Sequence, residues 1–265
     1  MKLRFHLFEF EDQPWFPNSI REGGTDYLRY FLNAVDFYGP VIPVIRRMLD
    51  ELGETKVLDL CSGGGGSMQR IAQGLNTVPA RGVSITLSDK FPNVPAFTYI
   101  SERSKGAIDF KGFPIDAAHV PNDIAGFRTM FSAVHHFTPG TIQVILKDAV
   151  DNHRGIGLFD GGDKNVFTIL GMMLFHPIAF LVCTPFFRPY RFSRLFFTYM
   201  LPLIPLTTVW DGCVSILRLY KPEELLELTK GIGGSTYTWE AGRLRNKLGM
   251  RVTYLIGHPM PATSL

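Results

Sequence analysis

The most informative stretch of this 265-residue chain is Val57-Leu58-Asp59-Leu60-Cys61-Ser62-Gly63-Gly64-Gly65-Gly66. It predicts an apolar strand that ends in polar residues, followed by a turn of glycines. A helix-compatible segment, residues 67–72, comes next. Glycines let the backbone turn tightly and approach a ligand closely, and a helix N-terminus offers free N–H groups to it. The stretch therefore predicts a nucleotide-type binding site.

The spacing of the glycines narrows the choice of nucleotide. The dinucleotide fingerprint Gly-x-Gly-x-x-Gly would need a glycine where Met68 or Gln69 stands, so a nicotinamide or flavin cofactor is disfavoured. A P-loop ends in Gly-Lys-Ser/Thr, and no lysine follows these glycines. ATP binding by that mechanism is excluded.

The remaining pattern resembles the first motif of class I S-adenosylmethionine-dependent methyltransferases. That motif reads hydrophobic-hydrophobic-Asp/Glu-hydrophobic-Gly-x-Gly-x-Gly. Asp59, Gly63 and Gly65 match it, and Cys61 stands where the first glycine is usual.

Three later segments follow in the order of that family. Residues 83–89 alternate apolar and small polar side chains and end in Asp89, and residues 112–117 form an extended run with Asp116 near its end. Residues 127–137 look like the fourth strand and a loop that contains His135 and His136.

The resemblance implies that the cofactor is S-adenosyl-L-methionine, with Asp89 accepting from its ribose hydroxyls and the Asp116 segment contacting its adenine. The residues expected to bind it are Asp59, Cys61, Ser62, Gly63, Gly64, Gly65, Asp89, Lys90, Asp116, Ala117, Phe131 and Ser132. An Asp before Ala-Ala-His can also simply cap a helix, so a structural role is the alternative for Asp116.

His135 and His136 are the candidate catalytic residues, because they follow the fourth strand on the side where the family binds its acceptor. Histidine suits proton transfer at neutral pH. The alternative is a structural role for one histidine and a solvated position for the other. Three acids, Asp160, Asp163 and Asp211, are secondary candidates.

The coarse pattern predicts an α/β fold, a Rossmann-like, doubly wound, seven-stranded methyltransferase sheet with helices on both faces. The predicted strands are 56–61, 83–88, 111–115, 126–131, 155–160, 237–240 and 251–256. The predicted helices are 66–75, 92–99, 139–153 and 221–228. The resemblance implies that the last strand is inserted antiparallel.

The chain is expected to comprise an N-terminal helical cover, residues 1–55, and a methyltransferase domain, residues 56–265, with an apolar helical insertion at 165–211. The pair Thr25-Asp26 is typical of a helix start. Glu9, Glu11 and Trp15 are candidate substrate contacts, although a solvated edge is the favoured interpretation for the two carboxylates.

Composition excludes some classes of function. A net charge of +3 and the lack of a Lys/Arg-rich run argue against a nucleic-acid partner. The three cysteines are widely spaced, which indicates a reducing compartment and no metal cluster. No secretory signal is recognised at the start of the sequence, and the chain is expected to be a cytoplasmic protein of bacterial type.

The segment from 166 to 210 is unusual for an α/β domain. Residues 166–187 and 195–210 contain no Asp, Glu, Lys or Arg, and Arg188, Arg191 and Arg194 lie between them. The pattern favours a hairpin that enters one leaflet at the inner membrane face, with the arginines at the headgroups. Three alternatives stay open: an acceptor-pocket wall, a homodimer interface and a true two-span protein.

The function predicted from these features is methyl transfer to a small or lipid-like apolar acceptor at a membrane surface. Two alternatives come from other classes: a methyltransferase-fold scaffold without transfer activity, and an enzyme that uses the same cofactor for a non-methylating reaction. The acceptor atom is not encoded in any recognisable motif.

Overall fold

One sheet organises the part of the chain that the computed structural model describes, residues 7–77 and 82–260. Its strands are β1 (Lys56–Leu60), β2 (Ser84–Leu87), β3 (Ile108–Phe110), β4 (Phe127–Phe131), β5 (Ile156–Gly161), β6 (Tyr237–Arg245) and β7 (Arg251–Pro259). They lie in the order β3-β2-β1-β4-β5-β7-β6, and β7 runs antiparallel to both of its neighbours. The predicted fold class, including the antiparallel last strand, is confirmed.

Helices cover both faces of this sheet. They are α1 (Asn18–Ala34), α2 (Ile42–Leu52), α3 (Met68–Leu75), α4 (Val94–Arg103), α5 (Pro139–Asp151), α6 (Val166–Cys183), α7 (Phe192–Leu195), α8 (Leu203–Arg218) and α9 (Pro222–Leu228). Val57 of β1 packs into the apolar core shared with α1 to α4, whereas Leu58 belongs to the core beneath α5 and α9. Successive side chains of the strand point to opposite faces of the sheet, so they pack into two separate cores.

The apolar insertion predicted at 165–211 folds as α6, α7 and α8, the last of which extends to Arg218, and it packs on α1. Tyr27 of α1 stacks on Phe180 with the ring centroids 3.8 Å apart, and Phe187 and Ile204 complete this third core. Thr184–Phe186 forms a 3₁₀ turn after α6, and Phe196–Met200 forms a π-helical turn between α7 and α8.

Two predicted boundaries are wrong. The third strand is Ile108–Phe110, because its pairing with β2 ends at Phe110 and Pro114, which has no N–H to donate, lies in the following loop. Helix α1 begins at Asn18, directly after Pro17, and not at Thr25-Asp26. Asp26 instead lies in the middle of α1, where it is fully buried.

Candidate active site

The glycine turn joins β1 to α3 at the carboxyl end of the sheet. Gly65 has a φ of +89°, and a Cβ there would lie 2.2 Å from Cδ1 of Ile100. A Cβ on Gly64 would lie 2.7 Å from the backbone oxygen of Thr25. Both positions therefore require glycine, and α1 lies directly on the turn.

The buried carboxylate of Asp59 connects the glycine turn to β4 through hydrogen bonds. Its Oδ2 accepts a hydrogen bond of 2.7 Å from Ser62 Oγ, and its Oδ1 accepts one of 2.9 Å from Thr129 Oγ1 of β4. Burial raises the pKa of Asp59 to about 7, although these hydrogen bonds act in the opposite direction. The side chain is 2% exposed, so its contacts are with the turn and with β4.

Asp89 lies at the end of β2 and faces the same turn. Its Oδ2 accepts the Gly63 N–H at 2.8 Å, and its Oδ1 accepts the Phe91 N–H at 2.7 Å. Burial raises the pKa of Asp89, and the two N–H donors limit that increase. A carboxylate oxygen has a second lone pair, so each oxygen retains an acceptor site for a ligand hydroxyl.

The start of α3 also fits a polar ligand. Ser67 precedes the helix without capping it, and its buried Oγ has no hydrogen-bond partner among the described residues. The first N–H groups of a helix attract partial negative charge. These groups, the close approach at Gly64 and the carboxylate of Asp89 fit the polar parts of S-adenosylmethionine.

The segment after β3 lies beside Asp89, since the Ile115 N–H donates to the Asp89 carbonyl at 2.9 Å. The backbone N–H of Ala118 lowers the pKa of Asp116, and Lys90 adds to this effect at 3.1 Å from the carboxylate. Lys90 is exposed and Ala117 is buried. Asp116 thus makes the local backbone bond expected of a capping residue while it stays next to the glycine turn.

Phe131 and Ser132 close the site on the side of β4. Phe131 stacks on Phe159 at a centroid distance of 4.8 Å and is buried in the core. Ser132 has a φ of +50°, as a non-glycine residue rarely does, and its Oγ lies 2.6 Å from the hydroxyl of Tyr38. Cys61, at the end of β1, has a φ of +55°. The neighbouring strands β1 and β4 are thus each followed by a residue in the left-handed backbone region, which stores strain beside the glycine turn.

His135 and His136 follow β4, and the structure brings both of them against acidic residues. His135 Nδ1 lies 2.8 Å from Asp160, whose carboxylate also accepts the His135 backbone N–H at 3.0 Å. Burial alone would lower the pKa of His136, but Glu9, Asp12 and Glu11 raise it well above its ordinary value. Asp160 comes from the end of β5, as its position in the sequence predicts.

The N-terminal strap, residues 9–13, contributes Glu9, Glu11 and Asp12. Side chains of α1 and α8 hold it in place. Arg218 of α8 lies 2.9 Å from Glu9 and 3.0 Å from Asp12. Asp211 of α8 accepts the Glu11 backbone N–H at 3.1 Å, and Arg21 of α1 donates to the Gln13 carbonyl at 2.7 Å. The interpretation of Glu9 as part of a solvated edge is wrong, because its side chain is 0% exposed.

The sequence contains a signal for the strap, which predicts a short strand or a clasp laid over the domain. Phe8-Glu9-Phe10-Glu11-Asp12 interleaves aromatic and acidic residues. In the structure this segment bends at Phe10, and the Gln13 N–H donates to the Phe10 carbonyl at 3.0 Å. Phe10 packs against Phe16 beside the third core. The neighbouring Glu9 and Glu11 contact His136.

The arginines of the apolar insertion do not all lie at its surface. Arg194 is 2% exposed and pairs with Asp26 of α1 at 2.5 Å, and Arg191 pairs with Glu22 of α1. Arg188 is exposed. The expectation that all three arginines lie at lipid headgroups is therefore wrong for Arg191 and Arg194, because α1 supplies a carboxylate to each.

The outer face of the insertion is apolar and exposed. Residues Val166–Phe186 have a mean hydropathy of 2.2 and are long and apolar enough to cross a membrane, and Phe192–Met200 and Leu203–Arg218 form a pair bent by 79°. The most exposed large apolar side chains include Val166, Phe167, Leu174, Ile178, Val182, Phe186, Phe192, Met200 and Leu206. Beside this face lies a cleft lined by Arg29, Arg70, Arg188, Tyr30, Tyr99 and Phe186.

Comparison with known proteins gives similarity at the level of structure. No protein-family model matches the chain, and no curated protein matches it in sequence. A chain from Rhodobacter sphaeroides named as a Zn-dependent alcohol dehydrogenase shares 12% identity at a TM-score of 0.50, over 92% of this chain and 99% of its own. At that identity the likeness concerns the fold alone.

Two methyltransferase structures are also similar, at lower TM-scores. An O-methyltransferase family protein from Burkholderia thailandensis shares 11% identity at a TM-score of 0.47, over 85% of this chain and 57% of its own. The methyltransferase domain of bacterial CtHen1 shares 11% identity at 0.44, over 84% of this chain and 99% of its own. The chain thus spans little more than half the length of the first of these. On its strand order, its antiparallel β7 and its glycine turn, this chain has the fold of the class I S-adenosylmethionine-dependent methyltransferases.

Proposed function

We propose that this protein binds S-adenosylmethionine and transfers its methyl group to a small or lipid-like apolar acceptor at a membrane surface. The observation that carries the proposal is the contact of Asp89 with the Gly63 N–H at the ends of β2 and β1. The resemblance implies that Asp89 binds the ribose and that the glycine turn approaches the cofactor. This contact places the two next to each other. When bound, the cofactor supplies an activated methyl group.

This chain's own residues would hold the cofactor and exclude water from it. Asp89 accepts hydroxyl hydrogen bonds, the free N–H groups at the start of α3 attract its negative groups, and α1 covers the glycine turn. Methyl transfer is an in-line displacement, so close approach and alignment of the two reactants supply most of the rate enhancement.

The acceptor would bind beneath the N-terminal strap, beside His135 and His136. These side chains follow β4, at the same carboxyl edge of the sheet as the glycine turn. A scaffold protein would gain no stability from several carboxylates buried at the edge of its sheet, because burying charge is costly unless it is fully paired. The strap cluster therefore favours an active site over a binding module.

The exposed apolar face of the insertion supports the membrane part of the proposal. A contiguous apolar surface of this kind marks an interaction site. The cleft beside it carries the exposed guanidinium groups of Arg70 and Arg188, which match the phosphates of anionic lipids. The proposed partner is therefore an anionic membrane, and not a second copy of the chain.

The test is to incubate the purified protein with S-adenosylmethionine labelled in its methyl group and with a bacterial lipid extract. We expect S-adenosylhomocysteine to form and the label to enter the apolar fraction, detected by mass spectrometry. A protein that fails to bind S-adenosylhomocysteine by calorimetry would contradict the whole proposal. Binding without label transfer to any fraction would contradict the methyl-transfer part.

A further inference from the structure

We infer that Glu9, His135 and His136 form a binding site for a divalent transition-metal ion at the carboxyl ends of β4 and β5. Each of the three residues offers a ligand atom, and these atoms lie within 4.8 Å of one another. Glu9 and His135 are buried, and His136 is half-buried. The site deepens the proposed function in one respect, because the ion would hold the acceptor.

The distances between the ligand atoms fit a common ion. Glu9 Oε2 lies 3.2 Å from His136 Nδ1 and 4.0 Å from His135 Nε2. Two ligands that each lie about 2.0–2.2 Å from one metal ion are separated by roughly 3–4 Å. A small adjustment of side chains would place all three atoms around one ion.

The far nitrogen of each histidine is already held by a carboxylate. His135 Nδ1 lies 2.8 Å from Asp160, and His136 Nε2 lies 3.2 Å from Glu11. Metal-binding histidines commonly donate their second N–H to a carboxylate, which fixes the ring and leaves the other nitrogen unprotonated. Both imidazoles therefore have the support that metal ligands require.

The His136 nitrogen that faces Glu9, Nδ1, lacks a well-aligned hydrogen-bond partner among the described residues. His136 Nδ1 is buried and makes no aligned hydrogen bond among the described residues, although Asp12 Oδ1 lies 2.8 Å away and Glu9 Oε2 lies 3.2 Å away. Three possible ligand atoms thus lie next to one another.

The charges around this point are unbalanced. The carboxylates of Glu9, Glu11, Asp12 and Asp160 contact the two imidazoles. Arg218 is the cation that the structure pairs with Glu9 and Asp12. Protonation of His136 would offset part of the negative charge that remains. A divalent ion would displace that proton on binding and offset more of the charge.

The donor set indicates the class of ion. Two imidazoles and one carboxylate suit Zn²⁺, Mn²⁺, Fe²⁺ and Co²⁺, whereas Mg²⁺ and Ca²⁺ prefer oxygen ligands throughout. Three protein ligands leave coordination positions open. An oxygen or nitrogen atom of the acceptor would occupy one of them, close to the glycine turn.

The test uses Co²⁺, whose visible absorption reports its coordination. We expect the wild-type protein to bind about one equivalent with a new visible band, and dialysed protein to retain one equivalent of metal by elemental analysis. His135→Gln and His136→Gln should lose the band, and Asp160→Asn should weaken binding by about 10- to 100-fold. The matched control is His119→Gln, an exposed histidine outside the cluster, which should bind as the wild type does.

A wild-type protein that gives no band and retains no metal would overturn the inference, whatever the variants do. Unchanged binding by folded His135→Gln and His136→Gln would overturn it too. Calorimetry with S-adenosylhomocysteine separates this result from the proposed function. Binding of Co²⁺ without binding of S-adenosylhomocysteine would support the metal site and contradict the proposed methyl transfer. Binding of S-adenosylhomocysteine without Co²⁺ would contradict only the metal site.

Discussion

The Asp89 carboxylate accepts a hydrogen bond from the glycine turn and is the residue proposed to bind the cofactor ribose. We expect Asp89→Ala to weaken binding of S-adenosylhomocysteine about 10- to 100-fold, because hydrogen bonds to a charged group contribute roughly 1.5–3 kcal/mol. The Gly63 and Phe91 N–H groups also lose their acceptor. Isothermal titration calorimetry measures the change.

The matched control for Asp89 is Asp109, an exposed carboxylate on the neighbouring strand β3. Asp109→Ala should leave the affinity unchanged. Wild-type affinity in Asp89→Ala would show that this carboxylate does not bind the cofactor.

Asp59 gives a prediction about pH. Its pKa is raised to about 7 in the folded chain, whereas an unfolded aspartate titrates near about 3.9. Between these values the folded state binds the proton more tightly, so Asp59 makes stability fall as the pH rises from 4 to 7. Asp59→Asn keeps an acceptor for Thr129 and should reduce this decline by at least about 1 kcal/mol.

Urea denaturation at pH 5 and pH 8 measures the free energy of unfolding of both proteins. Parallel pH profiles for the wild type and Asp59→Asn would contradict the raised pKa.

Single residues also show where prediction from sequence ends. The motif places Asp59 and Asp89 at the ends of adjacent strands, and the structure has them there. That Asp59 points beneath the turn depends on Thr129, a residue 70 positions away on β4. The role of Glu9 likewise depends on α8, so local patterns could not reveal that it is buried.

At the scale of elements, ion pairs connect α1 to the segment of the insertion that contains Arg191 and Arg194. Arg194 is buried against Asp26, whereas Arg188 in the same turn is exposed. We expect Arg194→Met to lower the free energy of unfolding by about 1.5–3 kcal/mol, because Asp26 loses one of its two buried guanidinium partners and keeps only Arg29, at 3.0 Å. Arg188→Met is the matched control and should change stability by less than about 0.5 kcal/mol.

Chemical denaturation at pH 7 compares the two variants. Equal stability of Arg194→Met and Arg188→Met would mean that the Asp26 pair contributes nothing to the docking of the insertion.

The elements themselves were mostly predictable, since apolar strands and amphipathic helices leave periodic patterns. The exceptions have local causes. Strand β3 is only three residues long, and the more apolar run after it contains Pro114. Helix α1 begins at Asn18 after Pro17, and it has no side-chain cap. The polar pair Thr25-Asp26 was therefore mistaken for the start of the helix.

At the scale of the whole molecule, the exposed face of the insertion predicts binding to anionic vesicles. Phe167 is 80% exposed and Leu174 is 69% exposed, and both lie on α6. We expect Phe167→Ser and Leu174→Ser each to weaken vesicle binding about tenfold, because each removes roughly 1.5 kcal/mol of apolar burial in the bilayer. Flotation with vesicles measures the bound fraction.

The control for this surface is Leu248→Ser, since Leu248 is 68% exposed in the turn between β6 and β7. It should float as the wild type does. Arg70→Ser with Arg188→Ser should weaken binding to anionic vesicles more than to neutral ones. A wild-type protein that stays in the soluble fraction at low salt, or that forms a stable dimer by light scattering, would contradict the membrane assignment.

The strap has a consequence for the order of synthesis. Phe10 and Glu9 bond to Asp211 and Arg218, which lie 201 and 209 positions further along the chain. A ribosome releases the acids of the strap long before it makes the helix that holds them. Chains that end before α8 therefore carry the glycine turn without the finished acidic cluster, so both halves of the site assemble only after α8 has been made.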